Sequence, residues 1–293
     1  MSNSALLVTG ASGKLGRRVV ELLIAQNAGP LIATTRNPES LADLAARGVE
    51  VRRADFDDAG SLARAFAGAE RALLVSTDAL DRPGRRLAQH TVAIKALETA
   101  GARHVVYTSL PNAPSSSVAI APDHAQTEAL LAASSLGYTV LRNNIYAEML
   151  LGALPGALQG GTLAHARGTG GAAYVTREDC AAVAAAALAR REEHGRLVFD
   201  VTGPEAVRAD QLAALASELT GRPLAAVSLS PEALVDGMQA HGLPRPIAEL
   251  LVTFDVSIAR GELANVSDTV QRYTGRPARS LLEFLTEQRS ALG

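Results

Sequence analysis

The chain has 293 residues, 47% of them hydrophobic and 20% charged, with a formal net charge of −2; this suits one large α/β domain, or a nucleotide domain carrying a smaller lobe, with enough apolar mass for a sizeable core. Charges of both signs are scattered and tryptophan is absent, which argues against a nucleic-acid partner. Cys180 is the only cysteine, so an internal disulfide and a cysteine-based metal cluster are excluded.

In chain order, Ala5, Leu6, Leu7, Val8 and Thr9 read as a buried strand that runs into a glycine turn. Leu15, Val19, Leu22 and Leu23 then recur at the spacing of a helix's apolar face. Residues 31–35 form a second strand. Pro38 opens a helix with Leu41 and Leu44 inward, and Gly48 closes it. A third strand covers 49–54, and Ser61 caps a short helix to Ala67. Leu73, Leu74 and Val75 form a fourth strand; the helix after Pro83 turns Leu87, Ile94 and Leu97 inward. A fifth strand at 104–108, a helix over 123–136 and a sixth strand at 138–141 complete the series. Strands alternating with helices require crossover connections, and these give a doubly wound parallel sheet of Rossmann type.

Beyond residue 146 the rhythm loosens. The glycine-rich stretch 152–171 reads as loops bordering a cleft. Thr176 caps a helix, with Asp179 at the capping-box position. A strand at 197–201, a helix capped by Asp210, a strand at 225–229, helices after Pro231 and Pro246 and a last helix over 281–288 follow. The expected division is a nucleotide-binding domain at 1–146 and a smaller C-terminal α/β lobe for substrate at 147–293, with the helix 177–190 packing back on the first. No apolar run reaches the length of a membrane span, and the opening Met1, Ser2, Asn3 and Ser4 lack a basic n-region. A cytoplasmic location is therefore expected.

The segment from Thr9 to Gly16 carries Gly10, Gly13 and Gly16 between the first strand and the first helix. The first glycine permits the sharp turn, the second lets backbone approach a pyrophosphate, and the third lets helix and sheet pack closely. The helix N-terminus, with Ser12, Lys14 and Leu15 in the turn, offers free N–H groups to phosphates. NAD-selective sites place an acid near the end of the second strand to hold the ribose 2′-OH. Here Thr34, Thr35, Arg36 and Asn37 stand there instead. A guanidinium at Arg36, with Lys14 as a second cation, suits a 2′-phosphate and points to NADP(H). Asp55 and Phe56 follow the third strand, where adenine is edged in such folds; a helix cap and a core aromatic are the plainer alternative. Ser76 and Thr77 end the fourth strand, and Thr108 and Ser109 the fifth. Their hydroxyls face the cofactor ribose or nicotinamide if the ligand lies beyond the strand C-termini, or else serve turn chemistry.

Several segments together resemble the NmrA-like atypical short-chain dehydrogenases, in particular the bacterial NADPH:quinone oxidoreductases and triphenylmethane reductases. The carriers are 9–16, Thr35 to Pro38, Arg53 to Asp55, Tyr107 to Leu110, Asp123 and His124 with Thr127 and Glu128, and Leu141 to Asn143 with Tyr146. Gly242, Leu243, Pro244, Ser267 and Asp268 extend the likeness toward the C-terminus. The resemblance implies NADPH bound by the N-terminal domain, substrate between the two lobes, and Asn143 and Tyr146 on the nicotinamide and substrate side. Asn144 and Ile145 depart from the glycine and large aromatic of the quinone reductases, which implies a wider pocket without a stacking wall.

No Tyr-x-x-x-Lys pair exists: Tyr107, Tyr138, Tyr146, Tyr174 and Tyr273 are followed four residues later by Pro111, Arg142, Leu150, Glu178 and Pro277. His124 and Glu128, at i and i+4 on one helix, are the candidate acid/base pair, with a surface contact as the alternative. A quinone that accepts hydride becomes a phenolate-like anion, with a pKa near 10 like that of tyrosine, so water can supply its proton. The expected activity is hydride transfer from NADPH to a quinone-like electron acceptor, by a protein that forms a homodimer. The alternatives are a non-catalytic NADP(H) sensor and a reductase of a dye or an activated C=C bond. The histidines at 90, 104, 124, 165, 194 and 241 show no ligand pair, so no metal is expected.

Overall fold

A computed structural model describes residues 5–191 and 195–293. The opening residues 1–4 and His194, both considered above, lie outside the described residues. In chain order the elements are β1 (Ala5–Val8), α1 (Lys14–Ala25), β2 (Leu31–Thr35), a 3₁₀ turn (Pro38–Leu41) leading into α2 (Ala42–Ala45), β3 (Glu50–Arg53), α3 (Ala59–Phe66), β4 (Ala69–Leu74), α4 (Arg85–Thr99), β5 (His104–Ser109), α5 (Ala121–Ala133) and β6 (Gly137–Asn143). They continue with α6 (Leu150–Gly160), β7 (Thr162–His165), β8 (Gly171–Ala172), α7 (Arg177–Ala189), β9 (Arg196–Val201), β10 (Val207–Arg208), α8 (Ala209–Thr220), β11 (Ala225–Ser228), α9 (Pro231–Ala240), α10 (Arg245–Ala259), α11 (Thr269–Thr274) and α12 (Leu281–Glu287).

The main sheet has seven strands in the order β3-β2-β1-β4-β5-β6-β9. Each pair from β3 to β6 is parallel. The Tyr138 N–H donates to the Gly195 carbonyl at 3.0 Å and the Asn144 N–H to that of Val201 at 2.9 Å; this constant offset makes β9 parallel too. Strand order reverses between β1 and β4, the switch point beyond whose carboxyl ends α/β sheets bind ligands. The doubly wound fold expected from the sequence is thus the observed one.

The chain groups into two compact units. The first comprises Met1–Ser109, Asp123–Arg142 and Cys180–Phe199, the second Leu110–Pro122, Asn143–Asp179 and Asp200–Gly293. In the first unit, Leu7, Ile32, Phe66, Leu74, Leu97, Tyr107 and Val140 build a core against the sheet. Fully buried Arg71 on β4 ties the end of α7 into this unit. Its Nε donates to the Leu188 carbonyl and its Nη2 to that of Ala187, both at 3.0 Å. A helix C-terminus leaves carbonyls without intrahelical partners, and a cation there also complements the helix dipole.

The second unit packs Leu154, Tyr174, Leu212, Phe284 and Leu285 together, with β10 antiparallel to β8 and β11 parallel to β7. The stretch 152–171 is not the set of loops its glycines suggest. Leu150, Leu154 and Leu158 are buried along one side of α6, while Gly152, Gly156 and Gly160 fall on its exposed side. The packed leucines thus outweigh the poor helix propensity of glycine.

Other local expectations shift for physical reasons. Asp58 caps α3 by accepting the Ser61 N–H at 3.1 Å, so Ser61 lies inside the helix rather than before it. Asp210 stands within the first turn of α8, where it pairs with Arg208 at 2.9 Å. Thr176 accepts the Asp179 N–H at 3.0 Å as a cap should, but the Asp179 carboxylate turns to Arg276 and the Arg279 N–H. The helix α11 has no apolar period long enough to be read in advance. On α4 the buried face is not Leu87, which is half-buried, but Arg86, Gln89, His90, Ala93, Ile94 and Leu97.

Candidate active site

The glycine turn sits where β1 passes into α1. Gly10 has φ +60°, the left-handed region that favours glycine. The third glycine is required by packing: a Cβ on Gly16 would stand 2.5 Å from the Gly10 carbonyl oxygen and 3.0 Å from that of Thr9. Helix and turn are therefore as close as backbone allows. Gly13 precedes the helix without a side-chain cap, which leaves the first N–H groups of α1 open to an anion.

Beyond the carboxyl ends of β1, β2, β3 and β4 lies a cavity of about 370 Å³. It is lined by Gly10, Ser12 and Gly13 from the turn, Thr34 to Arg36 from β2 and beyond, Ala54 to Asp57 after β3, Val75 to Asp78 after β4, and Gln89 from α4. The sequence-predicted residues Gly10, Ser12, Gly13, Arg36, Asp55, Phe56, Ser76 and Thr77 thus meet at one place. The exposed Arg36 makes no hydrogen bond or ion pair among the described residues, and no acid stands at the end of β2. Ser12 is held by the Thr35 hydroxyl at 3.0 Å. Asp55 both lines the cavity and organises the loop: its Oδ1 accepts the Asp57 N–H at 3.1 Å, and its own N–H donates to Ser61 Oγ at 2.8 Å. Asp57 accepts hydrogen bonds from Arg85 and Gln89, which hold its carboxyl down to about 2.

The other predicted residues lie elsewhere. Lys14 is exposed at the start of α1, off the cavity wall, and Leu15 is buried beneath the helix. Thr108 and Ser109 are buried and absent from the lining. Thr108 Oγ1 accepts the Ser76 N–H at 2.9 Å. Ser109 donates to Glu128 at 2.6 Å, and Glu128 is paired with Arg142 at 2.6 Å. Asn143 and Tyr146 are in the second unit, where Asn143 Nδ2 donates to the Tyr146 hydroxyl at 3.1 Å. The Arg177 guanidinium lies 5.3 Å from the centre of the Tyr146 ring.

His124 and Glu128 do not form a dyad. While Glu128 bonds Ser109 and Arg142, His124 is buried and bridges Arg86 and Tyr107. Arg86 can only donate, so its Nη2, 3.0 Å away, requires an unprotonated Nε2 on His124. The Nδ1 proton then goes to the Tyr107 hydroxyl at 2.8 Å. Burial, with Arg86 and His90 alongside, pushes His124 well below its ordinary pKa. Among the described residues no cluster of three or more His, Cys, Asp or Glu is placed to hold a metal, and no helix is long and apolar enough to cross a membrane.

Sequence reasoning missed how side chains behind the wall after β4 anchor it. Val75, Ser76 and Thr77 lie past the strand, yet each N–H has a buried acceptor. They are Thr9 Oγ1 at 3.0 Å, Thr108 Oγ1 at 2.9 Å and His90 Nε2 at 3.0 Å. Thr108 is singled out by the sequence as a strand-end hydroxyl, and Thr9, polar at the end of a buried strand, could have been for the same reason; His90 on a helix face had no such signal.

A glycine-lined turn, an open helix N-terminus and a cavity at the switch point specify a dinucleotide phosphate cradle. A family model described as NAD(P)H-binding matches residues 10–191, which takes in the turn and every residue lining the cavity. The chain belongs to this NAD(P)H-binding family. It is 36% identical over 282 residues to quinone oxidoreductase 2 of Escherichia coli (strain K12), covering 96% of this chain and 97% of that one. The Escherichia coli NADPH-dependent quinone oxidoreductase solved in complex with NADPH superimposes with a TM-score of 0.91 at 35% identity, covering 98% and 99% of the two chains. The Citrobacter sp. triphenylmethane reductase solved with NADP(H) gives 0.90 at 31% identity, covering 97% and 99%. The NAD(P)H-binding protein described here is thus an oxidoreductase, and the enzyme class is favoured over the non-catalytic sensor.

Proposed function

We propose that this chain is an NADPH-dependent reductase that delivers hydride to a quinone-type acceptor. The observation that carries the cofactor choice is Arg36: an uncompensated guanidinium on the cavity wall, at the end of a β2 that has no acid. A 2′-phosphate supplies the oxygens such a fork prefers, whereas a bare ribose 2′-OH would have no carboxylate to bond. The full-length likeness to a quinone oxidoreductase supports the acceptor class.

In this proposal Gly10, Ser12 and Gly13 hold the pyrophosphate against the α1 N-terminus, Arg36 holds the 2′-phosphate, and Asp55 and Phe56 flank the adenine. Ser76 and Thr77 border the ribose on the nicotinamide side. Thr108 and Ser109 act behind that wall. Bound NADPH supplies the hydride, and these residues bind and orient it. Asn143 and Tyr146, matched by resemblance to the nicotinamide and substrate side, are proposed to orient the acceptor. No side chain need supply a proton to a quinone, because the reduced anion is weakly basic enough to take one from water.

The likeness to a triphenylmethane reductase favours a second acceptor class, triphenylmethane dyes. A homodimer in the cytoplasm completes the proposal; light scattering and cell fractionation check those two points. The deciding experiment follows NADPH and NADH oxidation with a set of quinones and with a triphenylmethane dye. Quinone-dependent oxidation that prefers NADPH is expected. No turnover with any quinone overturns the acceptor assignment, and equal use of NADH overturns the role of Arg36.

A further inference from the structure

We propose that His90 is a positioning residue for the cofactor: a neutral imidazole acceptor that holds the Thr77 N–H and so sets the cavity wall beyond β4. The inference rests on reading the cavity as the NADPH site.

The wall segment Val75 to Thr77 extends past the last residue of β4 and so lacks the ladder bonds of a strand. Its three successive N–H groups are fixed instead by side chains from three different elements: Thr9 after β1, Thr108 on β5 and His90 on α4. All three residues lie within the first unit. The first two sit at the ends of strands adjacent to β4. His90 reaches up from the first turns of α4 and is the outermost of the three anchors.

The polarity of this contact is determined by its partners. A backbone N–H can only donate, so His90 Nε2 is unprotonated where it receives Thr77. Nδ1 therefore carries the ring proton and donates it to Thr127 Oγ1 at 2.9 Å. The Thr127 hydroxyl in turn donates to the Asp123 carbonyl at 2.7 Å. Both ring nitrogens are thus satisfied in one tautomer, and His90 and Thr127 are fully buried. Burial, with the Arg86 cation beside it, also pushes the imidazole down to about 3, so the acceptor persists through the neutral range. The ring stands edge-on to Tyr107 at 5.6 Å between centres, which limits its rotation.

A purely structural histidine would be interchangeable with any group that fills its space. A positioning histidine needs an acceptor at the Nε2 place. The test uses two amides that reproduce the two ring nitrogens separately. His90→Gln carries its amide near the Nε2 position and can accept from Thr77. His90→Asn carries its amide near the Nδ1 position and can serve Thr127 but not Thr77. His124→Leu, in the adjoining Arg86–Tyr107 bridge, is the control for damage to the buried layer that leaves the wall anchor intact. NADPH affinity is read by titration of the cofactor's fluorescence, and stability by thermal unfolding without cofactor.

Loss of one hydrogen bond corresponds to about a fivefold to tenfold change in binding. His90→Asn is expected to weaken NADPH by about that factor, and His90→Gln to stay within about threefold of wild type. His124→Leu is expected to lower the unfolding temperature while binding NADPH within about twofold of wild type. Equal affinity of His90→Asn and wild type overturns the inference. So does an equal loss of affinity in His90→Asn and His90→Gln, or in His124→Leu. Failure of the wild-type chain to bind NADPH instead overturns the cofactor reading, and the inference with it.

Discussion

The phosphate turn and the first turns of α4 border the same cavity and are built by opposite means. The turn at Gly10, Gly13 and Gly16 works by the absence of side chains at its glycines, and its polar groups are backbone apart from the Ser12 hydroxyl. The α4 face buries Arg86, Gln89 and His90, with His124 and Tyr107 packed against them, and works through side-chain nitrogens of defined protonation. The first is a local device whose spacing alone defines it. The second exists only after a helix, two strands and a second helix have come together. Ligand-binding walls can therefore be as much a product of the buried layer behind them as of the residues that line them.

The largest expected effect lies on the turn. Gly16→Ala places a Cβ against the Gly10 carbonyl oxygen, where only backbone movement can make room. It is expected to lower NADPH affinity by about a hundredfold or more, and stability by about 1–3 kcal/mol; cofactor titration and thermal unfolding measure both. On the α4 side, His124→Leu leaves the Arg86 guanidinium and the Tyr107 hydroxyl without their shared partner. A loss of about 2 kcal/mol in denaturant unfolding is expected, because buried polar groups are left unsatisfied. If this variant also lost its cofactor, the separation drawn between wall and underlying layer would fail.

Arg36→Ala is expected to weaken NADPH by about tenfold to thirtyfold and leave NADH unchanged, the scale of one charge-assisted contact at an exposed site. Parallel titrations of both reduced cofactors check this, and equal losses for the two would remove Arg36 from the 2′-phosphate.

A graded effect separates the two regions by pH. His90, held to about 3, and His124, held well below its ordinary value, bind fewer protons folded than unfolded. For His90, stability therefore rises with pH between about 3 and 6.5 and is fully present above that range, and His124 acts in the same direction below 6.5. Each histidine contributes at most about 1.4 kcal/mol per pH unit. Wild type is expected to lose stability gradually on acidification below pH 6.5, and His124→Leu to show a shallower slope. The turn has no histidine or carboxylate of its own to contribute; an identical slope in the variant would mean the buried histidines are not the source.

Much of the site was legible in advance because its residues sit at strand ends. Ser76 and Thr77 after β4, Asp55 and Phe56 after β3 and Arg36 after β2 are all placed once the strand order is known. Lys14, exposed on the first residue of α1, stands outside the cavity lining, a placement that spacing along the chain does not encode. The His124 and Glu128 spacing misled for a related reason. Residues four apart share a helix face, but Tyr107 and Arg86 on one side and Ser109 and Arg142 on the other draw the two side chains to separate partners. The α6 helix was hidden by Gly152, Gly156 and Gly160, whose low propensity outweighed a regular row of leucines until packing was visible.

The sequence by itself determined the doubly wound sheet, the glycine turn and the cation in place of an acid at β2. These follow from local period and spacing, which chain geometry translates directly into structure. Only the tertiary structure decided the buried layer under β4 and β5, the tautomers of His90 and His124, the anchoring of α7 by Arg71 and the helical state of 150–160. Each depends on partners distant in sequence, whose contact geometry no local pattern encodes.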